Sequence, residues 1–155
     1  MKLRLRNDFA LPVPDAYAML TDPAFAQAVA RASEPLSYDV QVDGRSVRIR
    51  RTLASNPMVR AVTGPTVTIV DEMCWDAPVG DERTGHASVR VEKLPGELSA
   101  RVRLHAGGRG SLLDYDGDLE VSVRLVGHLI ERQAAPILRQ ALALQQDVAD
   151  AWVRP

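Results

Sequence analysis

The amino-acid sequence predicts an α+β fold in which a seven-stranded antiparallel sheet packs against one long C-terminal helix. Apolar and polar residues alternate in seven runs along the chain, which is typical of strands with one buried side and one wet side. Short turns that contain Gly or Pro, such as LPGE and AGGRGS, join most of these runs. An apolar repeat of 3.6 residues then marks a helix over about 127–153.

Two short helices are predicted to follow the first strand. The inward positions of that strand are Leu3, Leu5 and Phe9, and the polar residue Asn7 interrupts them. In the segment DAYAMLTDPAFAQAVARAS, Asp22 is followed by proline, the usual combination of an N-cap and a first helical residue. The second helix is therefore expected to begin there.

The segment YDVQVDGRSVRIRRTL predicts a β-hairpin, because Asp-Gly between alternating runs is a strong turn signal. A two-residue turn at Asp43-Gly44 would pair Tyr38 with Ile49. The face expected to point toward the core carries Tyr38, Val40, Val42, Val47 and Ile49.

The later strands keep the same alternation. Their inward residues are Val67, Ile69, Met73 and Trp75; Ala87, Val89 and Val91; Leu98, Ala100, Val102 and Leu104; and Leu113, Tyr115, Leu119, Val121 and Val123. Between the third and fourth strands, SNPMVRAVTGP predicts a small helix capped by Asn56 and ended by Gly64. Met58 and Val59 in this loop are expected either to pack over the sheet edge or to contact a guest or a membrane surface.

The C-terminal helix is expected to place one apolar stripe on the sheet. The stripe consists of Ile130, Ala134, Ile137, Ala141, Leu144, Val148 and Trp152. Pro136 has no N–H to bond to the preceding turn, so a kink or a local opening is expected there.

The segment DYDGDLE places a carboxylate at every second position from Asp114 to Glu120. It does not fit a calcium-binding EF-hand, because Leu119 and Leu125 occupy the positions that require glycine and glutamate. The acids instead share the solvent face of the seventh strand. Since the first and sixth strands carry basic residues on that face, a ladder of opposite charges predicts that these two strands flank the seventh.

Composition narrows the class of function. The 155 residues are 46% hydrophobic and carry a formal charge of -1, which predicts one domain over 1–155 and argues against nucleic acid as a partner. The single cysteine, Cys74, and a start without an apolar signal core predict a cytoplasmic protein. No run approaches the roughly 20 apolar residues of a membrane span, so only a transient membrane contact is expected.

Two charged residues occupy inward positions. Arg51 continues the alternation of Val47 and Ile49, and Asp71 continues that of Val67 and Ile69. On neighbouring antiparallel strands the two could form an ion pair that orients a carbonyl, hydroxyl or carboxylate of a ligand, or a purely structural pair. Pairing with arginine is expected to lower the pKa of the aspartate, making it a poor acid. No nucleophile elbow, metal-ligand set or cofactor motif is recognised, so no catalytic residue, metal or cofactor is assigned.

The order of strand, two short helices, six-stranded meander and long helix resembles the helix-grip fold of the START-like, polyketide cyclase and birch-pollen-allergen (SRPBCC) superfamily. The stretches DFALPVPDAYAMLTDPAF, VTIVDEMCWDAP and VSVRLVGHLIE are similar to an actinobacterial domain-of-unknown-function family within it. The resemblance implies a curved sheet that grips the helix around a cavity, which in relatives holds lipids, sterols, polyketides or plant hormones.

Three functions are compatible with these observations. The first is binding or carriage of a small hydrophobic molecule, lipid-like or polyketide-like, by Tyr38, Ile49, Arg51, Met58, Asp71, Trp75, Tyr115 and Ile137. The second is a cyclase-like or dehydratase-like enzyme that acts in the same cavity. The third is a protein-interaction module that uses the outer sheet or the loop around Met58.

Overall fold

The computed structural model describes residues 1–57, 60–93, 96–120 and 127–152. The elements in chain order are β1 (Lys2–Phe9), α1 (Val13–Leu20), α2 (Pro23–Ala32), β2 (Ser37–Asp43), β3 (Ser46–Ala54), α3 (Arg60–Thr63), β4 (Thr66–Trp75), β5 (Arg83–Val91), β6 (Glu97–Gly107), β7 (Gly110–Glu120) and α4 (Gly127–Trp152). This is the predicted α+β arrangement: a curved seven-stranded antiparallel sheet and a long C-terminal helix.

The strand order is β1-β7-β6-β5-β4-β3-β2, with every neighbouring pair antiparallel. The prediction that β7 lies between β1 and β6 is confirmed. On the outer face, the Arg6 guanidinium donates two hydrogen bonds to the Asp114 carboxylate, Nε to Oδ1 at 2.5 Å and Nη2 to Oδ2 at 3.1 Å. The imidazole Nε2 of His105 lies 2.7 Å from Asp114 Oδ2 on the other side. The acidic row is therefore a cross-strand charge ladder, as its spacing predicted.

The β2–β3 hairpin turns one residue later than predicted. Asp43 pairs with Ser46, so the turn is Gly44-Arg45, and Tyr38 lies opposite Arg51 rather than Ile49. Gly44 takes a φ of 56° at the first central position, the place where a type II′ turn requires glycine. Because the register moved by two residues, the inward face of the hairpin is unchanged.

The short helices follow the predicted capping chemistry in part. The Asp22 carboxylate accepts a hydrogen bond from the backbone N–H of Ala24 at 2.8 Å and caps α2 as expected. In the loop before β4, Gly64 ends α3 with a φ of 77° and donates its N–H to the Arg60 carbonyl. The described part of α3 begins at Arg60, so the cap at Asn56 stays a prediction. Met58 and Val59 lie outside the described residues.

The buried face of α4 differs from the predicted stripe by one residue. The side chains turned inward belong to Glu131, Ala135, Leu138, Leu142, Gln145 and Ala149. Ile137, a member of the predicted stripe, is 44% exposed. The prediction was wrong for Ile137 but right for Val148, which packs against buried core residues, and for Ala141, which faces the sheet. The inward face also includes Glu131 and Gln145, whose polar groups find partners in the fold and which a count of apolar residues leaves out. The side chains of Ile130 and Ala134 lie outside what the structure describes. The helix runs on through Pro136.

The described core contains two hydrophobic clusters. The larger is built around Phe9, Phe25, Trp75, Leu104 and Leu113, where α1 and α2 cover the sheet. The smaller consists of Leu3, Leu98, Leu119 and Ala135, where α4 crosses β1, β6 and β7. The sheet and the helices are thus in close contact at two separate places.

Candidate functional site

A cavity of ≈ 170 Å³ lies between the sheet and the helices, and its lining includes members of both hydrophobic clusters. Phe25 and Val29 of α2 and Leu138 and Leu142 of α4 contribute from the helical side. Most of this lining is aliphatic or aromatic, and only a few side chains present polar atoms. The composition is that of a small-molecule pocket, apolar with a small number of placed polar groups.

The sheet forms the floor of the cavity, and small side chains in one row across three strands leave space above it. Ala87 of β5 pairs with Ala100 of β6, and Ala100 pairs with Gly117 of β7. A Cβ at position 117 would lie 2.8 Å from the Cβ of Ala100, so glycine is required for the strands to fit. Three neighbouring strands therefore present almost no side chain toward α4 at this level.

The polar feature of the cavity is the predicted pair of Arg51 and Asp71. Arg51 on β3 donates Nη2–H to Asp71 Oδ2 on β4 at 2.6 Å, which confirms that the two side chains face each other. The Arg51 side chain is 10% exposed and that of Asp71 28%, and both line the cavity. The contact is monodentate, and Arg51 Nε is buried without a hydrogen-bond partner among the described residues.

The electrostatics of Asp71 differ from the expectation. Burial raises the pKa of the Asp71 carboxyl, and the favourable charge and hydrogen bond of Arg51 lower it by less than burial raises it. The charge of Arg51 lowers this pKa, as expected from the sequence, but the carboxylate also loses the water around it. In this interior the second effect is larger. Asp71 is therefore better suited to hold a proton than the sequence suggested.

A second set of polar side chains joins α4 to β1 and β7 by hydrogen bonds beside the cavity. Gln145 donates Nε2–H to Asn7 Oδ1 at 2.9 Å and to the Tyr115 hydroxyl oxygen at 3.1 Å. Asn7 in turn donates Nδ2–H to the Leu142 carbonyl at 3.2 Å. Burial raises the pKa of Tyr115 to about 12, so its hydroxyl stays protonated and can donate to an acceptor in the cavity.

Trp75 lines the cavity from the end of β4 and packs edge-to-face against Tyr17, with ring centroids 5.4 Å apart. Its indole Nε1 is buried and lacks a hydrogen-bond partner in the described part of the chain. A buried indole N–H usually has an acceptor, so Trp75 is a second lining side chain with an unused donor.

Five of the eight residues predicted to bind a ligand line the cavity, namely Ile49, Arg51, Asp71, Trp75 and Tyr115. Tyr38 does not, because β2 is the edge strand of the sheet and its ring is 39% exposed. Ile137 does not, because the helix face is rotated by one residue. Met58 lies outside the described residues. Sequence reasoning missed Gln145 and Leu142, although the inward Asn7 it noticed is the residue that contacts both.

Among the described helices, none combines the length and hydropathy needed to cross a bilayer. A search of curated proteins found no match.

The curved sheet that grips a long helix over an internal cavity is a START-like fold. Solved structures share the whole fold. A structure of TTHA0849 from Thermus thermophilus is 14% identical, with 99% of this chain and 100% of that chain covered and a TM-score of 0.63. A START superfamily protein from Mycobacterium smegmatis is also 14% identical, over 99% and 98% of the two chains, with a TM-score of 0.59. Human STARD10 is 9% identical over 96% of this chain and 62% of that chain, at a TM-score of 0.59. Identities this low establish a shared fold.

By its sequence, the chain belongs to the family described as protein of unknown function (DUF2505), whose model matches residues 4–153.

Proposed function

We propose that the protein binds or carries a small hydrophobic molecule in the cavity between its sheet and α4. Support for this function comes from the largely apolar cavity between the two hydrophobic clusters. The Arg51–Asp71 pair is the polar anchor in its wall. A protein interior is ordinarily close-packed, so a ≈ 170 Å³ space beneath the principal helix has a cost in lost contacts that a guest would offset. A cytoplasmic location and an actinobacterial source remain predictions from the sequence.

Ligand-observed NMR with ethylbenzene, a compact apolar probe, tests this function. Wild-type protein should bind it, and Ala87→Leu should not, because the larger side chain would occupy the floor of the cavity. Ala106→Leu is the matched control, since Ala106 is exposed and lies outside the lining. If ethylbenzene does not bind wild type, or binds Ala87→Leu equally well, the cavity is not the binding site.

An acid–base enzyme of the cyclase or dehydratase kind is the second candidate, and the raised pKa of Asp71 favours it. A carboxyl whose pKa is raised by burial keeps its proton to a higher pH than a free aspartate, and in that form it can act as a general acid on a guest held beside it. Asp71→Asn would then abolish turnover of a co-purifying compound. Wild-type protein that returns such a compound chemically unchanged would argue for carriage.

A further inference from the structure

The volume of the cavity limits its guest. A cavity of about 150 Å³ is large enough to bind benzene, whereas pockets for drug-sized molecules span roughly 300–1,000 Å³. At ≈ 170 Å³ the cavity accommodates one ring with a short substituent.

The Arg51 guanidinium is the donor-rich part of the polar lining. Arg51 is buried, lines the cavity and uses one of its five N–H groups on Asp71, and no described residue accepts a bond from its Nε. Asp71 is already engaged by Arg51. A guest that carries an acceptor oxygen could accept a hydrogen bond from the guanidinium N–H groups that Asp71 does not use.

The charge of the anchor distinguishes between acceptor oxygens. Asp71 neutralises Arg51 across 2.6 Å, so a second carboxylate placed on the guanidinium would lie within a few ångströms of a like charge. In a poorly hydrated site that repulsion is strong unless one carboxyl takes up a proton. A neutral carbonyl oxygen accepts from the same N–H groups and adds no charge.

We infer that the natural guest is a neutral carbonyl compound about the size of one substituted ring, such as a ketone, ester or lactone. Arg51 recognises its oxygen, and Asp71 excludes carboxylates of the same size. This inference rests on the proposed binding function and specifies the chemistry of its guest.

Three probes of nearly equal size test the inference: ethylbenzene, acetophenone and benzoate, each titrated into the protein at about pH 7.5 by NMR. Wild type should bind acetophenone about five-fold more tightly than ethylbenzene, in keeping with one added hydrogen bond. Benzoate should bind at least about ten-fold more weakly than acetophenone, because it meets Asp71. Arg51→Met should reduce the affinity for acetophenone to that for ethylbenzene.

Asp71→Asn provides the reciprocal experiment, because it keeps the shape of the side chain and leaves Arg51 without a counter-charge. Benzoate should gain at least about ten-fold in affinity and become the preferred probe. Asp114→Asn, which removes the carboxylate of the outer pair, should leave all three affinities unchanged. Circular dichroism of each variant checks that it folds.

The outcomes separate the two proposals. If none of the three probes binds, the binding function itself fails. If ethylbenzene binds as tightly as acetophenone, or if wild type prefers benzoate, the carbonyl inference is overturned while the binding function stands. Should Asp71→Asn fail to fold, the ranking of the three probes on wild type still decides the inference.

Discussion

The Arg6–Asp114 pair and the Arg51–Asp71 pair join neighbouring strands on opposite faces of the same sheet. On the outer face, Arg6 holds Asp114 through two hydrogen bonds, and this bonding is the main reason that the pKa of the Asp114 carboxyl is lowered. On the inner face, Arg51 holds Asp71 through one hydrogen bond, and burial raises the pKa of the Asp71 carboxyl. The residue types are the same, so the surroundings decide the sign of the shift.

The opposite pKa shifts of Asp71 and Asp114 show that the inner ion pair costs more free energy to maintain than the outer one. On the outer face, water stabilises both ions whether or not they meet, and the pair contributes little to the fold. On the inner face, each ion depends on the other because the surrounding residues are apolar. A charged pair retained under such conditions at the wall of a hollow is a natural place to look for ligand recognition.

The largest expected effect comes from removing one arginine at a time. Arg51→Met should lower the free energy of unfolding by about 3 kcal/mol, because the Asp71 carboxylate stays in the interior without its partner. Urea denaturation at about pH 7.5 measures it. Arg6→Met, the matched change on the outer face, should cost far less. The double variant Arg51→Met/Asp71→Leu should recover most of the loss, and equal costs for the two single variants would end the comparison.

A smaller effect, opposite in sign for the two faces, is expected in the pH dependence of stability. The folded-state pKa of Asp71 lies above its ordinary value of 3.8, so its contribution to stability is complete below pH 3.8 and declines as pH rises through the folded-state pKa. The folded-state pKa of Asp114 lies below 3.8, so its contribution is present above 3.8 and is lost as pH falls through the folded-state pKa.

Urea denaturation of Asp71→Asn and Asp114→Asn across the acidic and neutral range separates these contributions. Relative to wild type, Asp71→Asn should gain stability as pH rises above about 4. Asp114→Asn should instead lose stability relative to wild type as pH rises toward about 4, and then stay level. If the free energies of unfolding of the two variants, relative to wild type, change with pH in the same way, the two faces do not differ in how they shift a carboxyl pKa.

The smallest effect is expected from a substitution that fills the cavity beside the Arg51–Asp71 pair. Ala87→Leu should raise the free energy of unfolding by about 1 kcal/mol, because it adds apolar contacts where space exists. Thermal unfolding measures the change, and Ala106→Leu on the exposed surface should leave the transition where it is. A lower transition temperature for Ala87→Leu would mean that the floor has no room for a larger side chain.

Much of the site could be predicted from alternation alone. Side chains two residues apart on a strand share a face, so the inward position of Arg51 followed from Val47 and Ile49 whatever the exact register. The hairpin turn was placed one residue too early, and the face assignment survived because the resulting shift was even. The partnership of Arg51 with Asp71 followed in the same way from the pairing of adjacent antiparallel strands.

The errors arose where one element is positioned by another. The buried face of α4 includes Gln145, which a hydrophobic pattern assigns to water and which the fold places against Asn7 and Tyr115. Ile137 was consequently assigned to the cavity and lies at the surface. Tyr38 has the correct parity and remains exposed because its strand is at the edge of the sheet.

By itself, the sequence determined the strands, their inner and outer faces, and the position of the acidic strand between two basic ones, because these depend on a period of two and on the matching of opposite charges. The tertiary structure alone decided that Ala87, Ala100 and Gly117 meet in one row beneath α4, and that the water lost around Asp71 outweighs the charge of Arg51. The volume of the cavity and the desolvation of Asp71 depend on residues brought together from distant parts of the chain, so a local sequence pattern cannot predict them.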